Sequence, residues 1–218
     1  MSKTRNDEVA VPADLLRQVR KVVPKRALTF GESINVARVQ AARMRQALGV
    51  DGTAMPLGWV EQVPNLRIDL MPAHQLGEGT SGLTTRAKDG DYVIAVNKNN
   101  SHSHRRFTLA HELKHLLDYP YAETLHERLG QGNQQLRERS VERICDHFAA
   151  YLLMPSMLVK RAWTTGFQEL SVLAGLFQVS EEAMNIRLRA LGFIEDEQRP
   201  VATYFRRSGL ALRGLATT

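Results

Sequence analysis

The feature that most constrains this chain is the pattern His-Glu-x-x-His at residues 111–115, which lies within a stretch of helical periodicity. Two histidines four residues apart in a helix lie on one face, about one turn apart, so both imidazoles can reach a single tetrahedral cation. Glu112 would project beside that cation, where a carboxylate can take a proton from water. The pattern therefore predicts a Zn²⁺ site with His111 and His115 as ligands and Glu112 as the catalytic base.

The hydrophobic pattern of the same helix places the two histidines away from its apolar face. At about 100° per residue, Ala110 and the neighbouring leucines cluster on one side, and His111 and His115 fall almost opposite. The histidines are therefore not expected simply to fill the leucine-rich core, and another element must meet the polar side. A helix that merely happens to expose two histidines is the less favoured interpretation.

A catalytic zinc site takes three protein ligands and leaves one position for water, so the third ligand must come from elsewhere in the chain. A second long helix is predicted at about 134–153, with Glu142 at the edge of its buried stripe and Asp146 one turn later on the same flank. A carboxylate at a core-facing position needs a partner that offsets its desolvation, and a metal is a strong one. We therefore expect Glu142 as the third ligand, with Asp146 accepting a hydrogen bond from a ligand histidine.

Other residues are candidates for roles in the same site. Glu138 also faces the buried stripe, one turn before Glu142, and His126 lies in the connection between the two helices, so both stay open as the third ligand. Tyr121 and His126 are the candidates for an oxyanion donor. The single cysteine, Cys145, lies on the buried stripe and is expected to be a small core residue rather than a nucleophile.

The sequence also resembles known proteins. Glu-x-x-x-Asp after His-Glu-x-x-His is the arrangement of thermolysin-like zinc peptidases. Two longer blocks, RFTLAHELKHLL at 106–117 and FAAYLLMP at 148–155, resemble the signature of the ImmA/IrrE metallopeptidases, and the resemblance covers about residues 35–193. One departure is Lys114, which stands where the family often has glycine and is expected close to the metal face.

The resemblance implies an activity and a partner. Members of the family are bacterial or phage-borne and look like cytoplasmic zinc proteases that act on transcriptional repressors. It implies here a zinc-dependent endopeptidase, active in stress response or mobile-element induction, whose protein substrate is a helix-turn-helix repressor encoded nearby. The alternative is a non-proteolytic, zinc-containing regulatory or DNA-binding protein.

Periodicity along the chain predicts an α+β fold. Alternating residues at 66–70 and a hairpin signal between 81–86 and 92–97 predict a small, mostly antiparallel sheet packed on the His-Glu-x-x-His helix and the second long helix. A substrate peptide is expected to extend along Tyr92–Asn97. The predicted domains are a basic N-terminal extension (1–28), a zinc metallopeptidase domain (29–155), a C-terminal helical, helix-turn-helix-like subdomain (156–193) and a basic C-terminal tail (194–218).

Composition narrows the class of protein. The chain is 43% hydrophobic and 24% charged, which is ordinary globular usage, and no apolar run approaches the roughly 20 residues that span a bilayer. A single cysteine excludes an intrachain disulfide framework, and we expect a cytoplasmic protein with no membrane contact. Basic residues concentrate near both ends, but DNA is the less favoured partner, because Glu181 and Glu182 would begin the recognition helix and phosphates would repel them.

Overall fold

The computed structural model describes residues 9–195, so the start of the predicted N-terminal extension and nearly all of the predicted C-terminal tail lie outside the described residues. The described part is mostly helical with one small sheet, and the α+β class is confirmed. Its elements are α1 (Leu15–Arg20), α2 (Phe30–Ala47), β1 (Leu66–Met71), α3 (Ala73–Leu76), β2 (Gly82–Arg86), β3 (Tyr92–Asn97), α4 (His102–Asp118), α5 (Ala122–Leu125), α6 (Gln134–Leu153), α7 (Ser156–Thr164), α8 (Leu170–Phe177) and α9 (Glu181–Ala190).

Helix α2 begins at a capping box. The side chain of Thr29 accepts a hydrogen bond from the backbone N–H of Glu32, and the Glu32 carboxylate accepts one from the backbone N–H of Thr29. Gly49 follows the end of the helix at φ +63°, in the left-handed region that glycine adopts without strain. Helix α2 packs along α6, and its Ala37, Ala41 and Met44 are completely buried.

The sheet has three strands in the order β1-β3-β2. Strand β2 is antiparallel to β3, whereas β1 is parallel to β3, so the sheet is mixed rather than mostly antiparallel. The central place of β3 follows from its burial, since the five residues from Val93 to Asn97 are all buried. A strand that is apolar on both faces belongs at the centre of a sheet, and β3 therefore separates β1 from β2.

Helices α4 and α6 lie at the centre of the fold. Helix α4 contacts β2 and β3 as well as α6, and its Leu113, Leu116 and Leu117 are completely buried. Each helix begins at a side-chain cap, with Ser101 accepting from the backbone N–H of His104 and Asn133 accepting from that of Leu136. The position of α4 between the sheet and α6 brings side chains of both helices together.

The C-terminal helices pack on this centre through buried arginines. Arg106 of α4 donates to the backbone oxygens of Gln178 and Met55, at 3.0 and 2.6 Å. Arg187 of α9 donates to the backbone oxygen of Met154 at 3.0 Å and lies over the ring of Tyr151. Within residues 9–195, no helix combines the length and the apolar character needed to cross a membrane.

Candidate metal centre

Three side chains from two helices converge between α4 and α6. The Nε2 atoms of His111 and His115 are 3.2 Å apart. From α6, the carboxylate of Glu142 approaches both, with Oε2 3.3 Å from His111 Nε2 and Oε1 3.4 Å from His115 Nε2. Two imidazole nitrogens and one carboxylate therefore surround a common point, and this donor set suits Zn²⁺.

Asp146 lies one turn after Glu142 and orients His111. The Nδ1 of His111 donates to Oδ1 of Asp146 at 2.8 Å, and both side chains are buried. A histidine whose Nδ1 carries the proton has its lone pair on Nε2, the nitrogen that faces Glu142 and His115. The aspartate therefore sets the tautomer that a metal ligand needs.

The charged groups of this cluster shift one another's pKa values. Burial would lower the pKa of His111, but its interactions with Asp146 and Glu142 raise it well above the usual range. Burial would raise the pKa of Glu142, yet contacts with His111 and His115 lower it to about 2. The pKa of Asp146 is raised, because burial outweighs the hydrogen bond from His111. A cation that bound this cluster would therefore have to displace a proton from His111.

The carboxylate of Glu142 indicates that the cluster fits a metal. Both of its oxygens are buried, and neither makes a well-aligned hydrogen bond with any group in the described range 9–195. The two imidazole nitrogens approach these oxygens only at 3.3 and 3.4 Å, and a cation coordinated between them would further offset the cost of burying the carboxylate. Two histidines and one glutamate also leave a fourth position of a zinc ion open, as catalytic sites require.

Cys145 offers a different third donor. Its thiol and one ring nitrogen of each of His111 and His115 lie within 4.8 Å of one another. Burial, followed by the nearby Glu142 carboxylate, raises the pKa of the thiol well above its usual range. Because a metal binds the thiolate rather than the thiol, these shifts favour Glu142 over Cys145.

Glu112 lies beneath strand β2 and is 1% exposed. The hydroxyl of Thr84 is 2.7 Å from Glu112 Oε2 and 3.1 Å from the backbone oxygen of the same residue. Gly82 allows this approach, since a Cβ there would overlap the side chain of Thr108 and lie 3.1 Å from Glu112 Cγ. The sequence pattern does not mark Thr84, because β2 reads Gly-Leu-Thr-Thr-Arg and the adjacent threonines do not show which of them faces α4.

The three other predicted site residues, Glu138, His126 and Tyr121, are described by contacts and exposure away from the two histidines. Glu138 accepts a hydrogen bond from Gln134 at 3.0 Å on the exposed side of α6. His126 approaches Asp118, with Nε2 3.4 Å from Oδ2. Tyr121 is exposed on the segment that follows α4. The described contacts of Glu138 and His126 are thus with residues other than the two histidines of α4.

Lys114, which was expected close to the metal face, instead forms an ion pair with Asp118. Its Nζ lies 2.6 Å from both carboxylate oxygens of Asp118, one turn along α4, and both side chains are almost completely buried. Burial would raise the pKa of Asp118, but the charge of Lys114 and the contact with His126 lower it. The lysine therefore belongs to a buried ion pair.

The strand predicted to hold a substrate peptide is the wrong one. Both edges of β3 (Tyr92–Asn97) are already paired, one with β1 and the other with β2, so its backbone groups cannot bind another strand. Strand β2 is at an edge of the sheet and contacts α4. The edge of β2 is therefore the one that lies next to the His-Glu-x-x-His helix.

The fold and the cluster define an α+β protein with its His-Glu-x-x-His helix packed against a second helix that bears carboxylates. The family model of the IrrE N-terminal-like domain, a peptidase family, matches residues 66–189. This range is more than half of the chain, which therefore belongs to that family, and the resemblance seen in the sequence is confirmed.

Two further comparisons give no relative whose function could be transferred to this chain. No curated protein matches the sequence. Among solved structures, a Mycobacterium tuberculosis transcriptional regulator superposes with a TM-score of 0.55 at 17% identity, covering 90% of this chain and 54% of that one. This chain thus spans about half the length of the regulator, and the likeness shows a shared fold.

Proposed function

We propose that this protein is a zinc-dependent endopeptidase that cleaves a protein substrate. The observation that carries the proposal is the convergence of His111, His115 and Glu142, with Asp146 hydrogen-bonded to the first histidine. Membership in a peptidase family supports the same activity. In this proposal the three converging residues are the ligands of Zn²⁺.

The residues around the ligands have separate tasks in the proposed reaction. A bound Zn²⁺ would act as a Lewis acid toward the scissile carbonyl and would lower the pKa of water. Glu112 would take the proton of the attacking water and deliver it to the leaving amine. Asp146 would keep the proton of His111 on Nδ1, so that Nε2 stays available as a ligand.

The substrate peptide would extend along the free edge of β2. Backbone groups at a strand edge can pair with an extended peptide, which adds to the sheet as one more strand. Strand β2 also covers Glu112, through Gly82 and Thr84. A peptide on this edge would therefore lie close to the residue that moves the proton.

The substrate that we propose is a transcriptional repressor of the helix-turn-helix class, encoded nearby and cleaved in the cytoplasm during stress response or mobile-element induction. Family membership supports this choice, because it agrees with the resemblance to proteases that act on repressors. The similar solved structure is itself a transcriptional regulator, but its low identity makes it an argument about fold only.

DNA binding by α8 and α9 has weaker support than proteolysis. The first turn of α9 carries Glu181 and Glu182, whose charge opposes that of a phosphate backbone. Arg187 is buried against Met154, and Arg189 donates to Asn185 within the same helix. We therefore interpret this helix pair as a packing unit.

The proposal predicts about one zinc ion per chain, measured by elemental analysis of the purified protein. Replacing either ligand histidine (His111→Ala or His115→Ala) should remove most of the metal, because two donors cannot hold zinc as three do. Glu142→Ala should also lose zinc, whereas Glu138→Ala, one turn away on the same helix, should retain it. Stoichiometric zinc in the double histidine variant, or loss only with Glu138→Ala, would contradict the assigned ligands.

A further inference from the structure

Strand β2 is linked to Glu112 by a side chain that the proposed reaction does not use directly. Thr84 is turned inward, toward α4, whereas the next residue, Thr85, is exposed. The hydroxyl of Thr84 reaches the Glu112 carboxylate at 2.7 Å and its backbone oxygen at 3.1 Å. Both acceptors thus belong to the single residue that the proposed function assigns to proton transfer.

The hydroxyl has one proton, so it can donate to only one of these two oxygens at a time. The shorter distance is to Oε2, and hydrogen bonds from a hydroxyl to a charged carboxylate are both shorter and stronger than those to a neutral acceptor. Donation to Oε2 fixes the orientation of the carboxylate. It leaves Oε1 as the oxygen that would accept the proton of water.

Gly82 also lies against the side chain of Glu112. Residues two apart in a strand face the same side, so Gly82 and Thr84 both face α4. A Cβ at Gly82 would lie 3.1 Å from Glu112 Cγ and 3.1 Å from Oε1, besides overlapping Thr108. The face of β2 that packs on α4 therefore accommodates the side chain of Glu112. Gly82 lies against its Cγ and Oε1, and the hydroxyl of Thr84 lies at its Oε2.

We propose that Thr84 is a positioning residue for Glu112. Its hydroxyl holds Oε2 beneath β2 and thereby sets the direction of Oε1. Because β2 is also the strand along which the peptide would lie, the same hydroxyl fixes the proton-accepting oxygen relative to the scissile bond. This inference rests on the proposed function for its effect on cleavage, but the hydrogen bond can be tested without any substrate.

The first measurement is steady-state cleavage of the helix-turn-helix repressor encoded nearest to this chain. Thr84→Val keeps the shape of the side chain and removes the hydroxyl, so kcat should fall by about tenfold or more with KM changed less than about twofold, as misplacement of a catalytic group predicts. Thr84→Ser retains the hydroxyl and should restore most of kcat. Thr164→Val makes the same substitution at an exposed position of α7, outside the sheet, and should leave both constants unchanged.

The second measurement is urea unfolding, which needs no substrate. Thr84→Val should lower the unfolding midpoint of the wild-type protein, and the shift should be at most about half as large in a Glu112→Ala background, where the carboxylate is missing. Thr164→Val, on α7, should cause the same shift in both backgrounds. If Thr84→Val does not fold, Thr84→Ala replaces it as the variant without a hydroxyl.

These outcomes separate the inference from the proposed function. A kcat for Thr84→Val equal to that of wild type, or equal midpoint shifts in the two backgrounds, would overturn the positioning role. Failure of Thr84→Ser to restore kcat would overturn it as well. A wild-type protein that binds zinc but cleaves no repressor would contradict the proposed function, and the unfolding experiment would still decide whether Thr84 holds the carboxylate.

Discussion

Replacing Glu112 with glutamine should lower the rate of peptide cleavage at least about a hundredfold, since general acid–base groups contribute typically 10²–10⁴-fold. The amide has the size of the carboxylate and can still accept the hydrogen bond from Thr84, but it cannot take a proton from water. Zinc content should remain that of the wild type, because Glu112 is not one of the proposed ligands. Wild-type and variant proteins are incubated with the nearby repressor, and the fragments are located by mass spectrometry.

The matched control is Glu138→Gln, which makes the same change in a glutamate that hydrogen-bonds Gln134 on the outside of α6. Its cleavage rate and zinc content should both equal those of the wild type. Equal cleavage by the Glu112→Gln protein would refute the assigned role of this residue. Loss of zinc together with cleavage would instead make Glu112 a determinant of metal binding.

Replacing Asp118 with asparagine should destabilise the protein by about 3–5 kcal/mol, the usual cost of breaking a buried ion pair from one side. The side chain of Lys114 is 1% exposed and would be left buried without the carboxylate that now pairs with it. The free energy of unfolding is measured in urea at neutral pH. The double variant Lys114→Met/Asp118→Leu should recover most of the loss, because it removes both buried charges.

A surface ion pair provides the comparison. Arg67 and Asp89 are 3.3 Å apart and about half exposed, so Asp89→Asn should cost no more than about 1 kcal/mol.

The free energy of unfolding of the wild-type protein should depend on pH through Asp118, whose pKa is lowered in the folded protein. Its stabilising contribution is present above the carboxyl pKa of the unfolded chain and is lost as the pH falls through the folded value. A loss below 1 kcal/mol for Asp118→Asn would contradict the buried pair.

Local spacing explains why much of the helical framework could be predicted. Helix α6 runs from Gln134 to Leu153, as its periodicity indicated, because Asn133 caps its start and Pro155 follows its end. The interval between the two histidines of α4, like that between Glu142 and Asp146, is one helical turn, and such intervals put side chains on one face in any helix. The α+β class and the family could be predicted for the same reason, since both depend on patterns within short segments.

The sheet and the surroundings of Glu112 depended on contacts between segments. The strand positions could be predicted, but the central place of β3 followed from its burial on both faces, which excluded it as a docking edge. The contact between Thr84 and Glu112 joins residues 28 positions apart. No interval in the sequence encodes that distance, because it depends on how closely β2 can approach α4 at Gly82.

By itself, the sequence determined which residues share a helical face, since the backbone repeat within one element fixes that relation. It therefore determined that the two histidines of α4 lie side by side and that Glu142 and Asp146 lie on one flank of α6. The tertiary structure decided what each face meets. Packing brought Glu142 to the histidines. It also buried Lys114 together with Asp118, its neighbour one turn along α4, and two buried opposite charges are less costly as a pair.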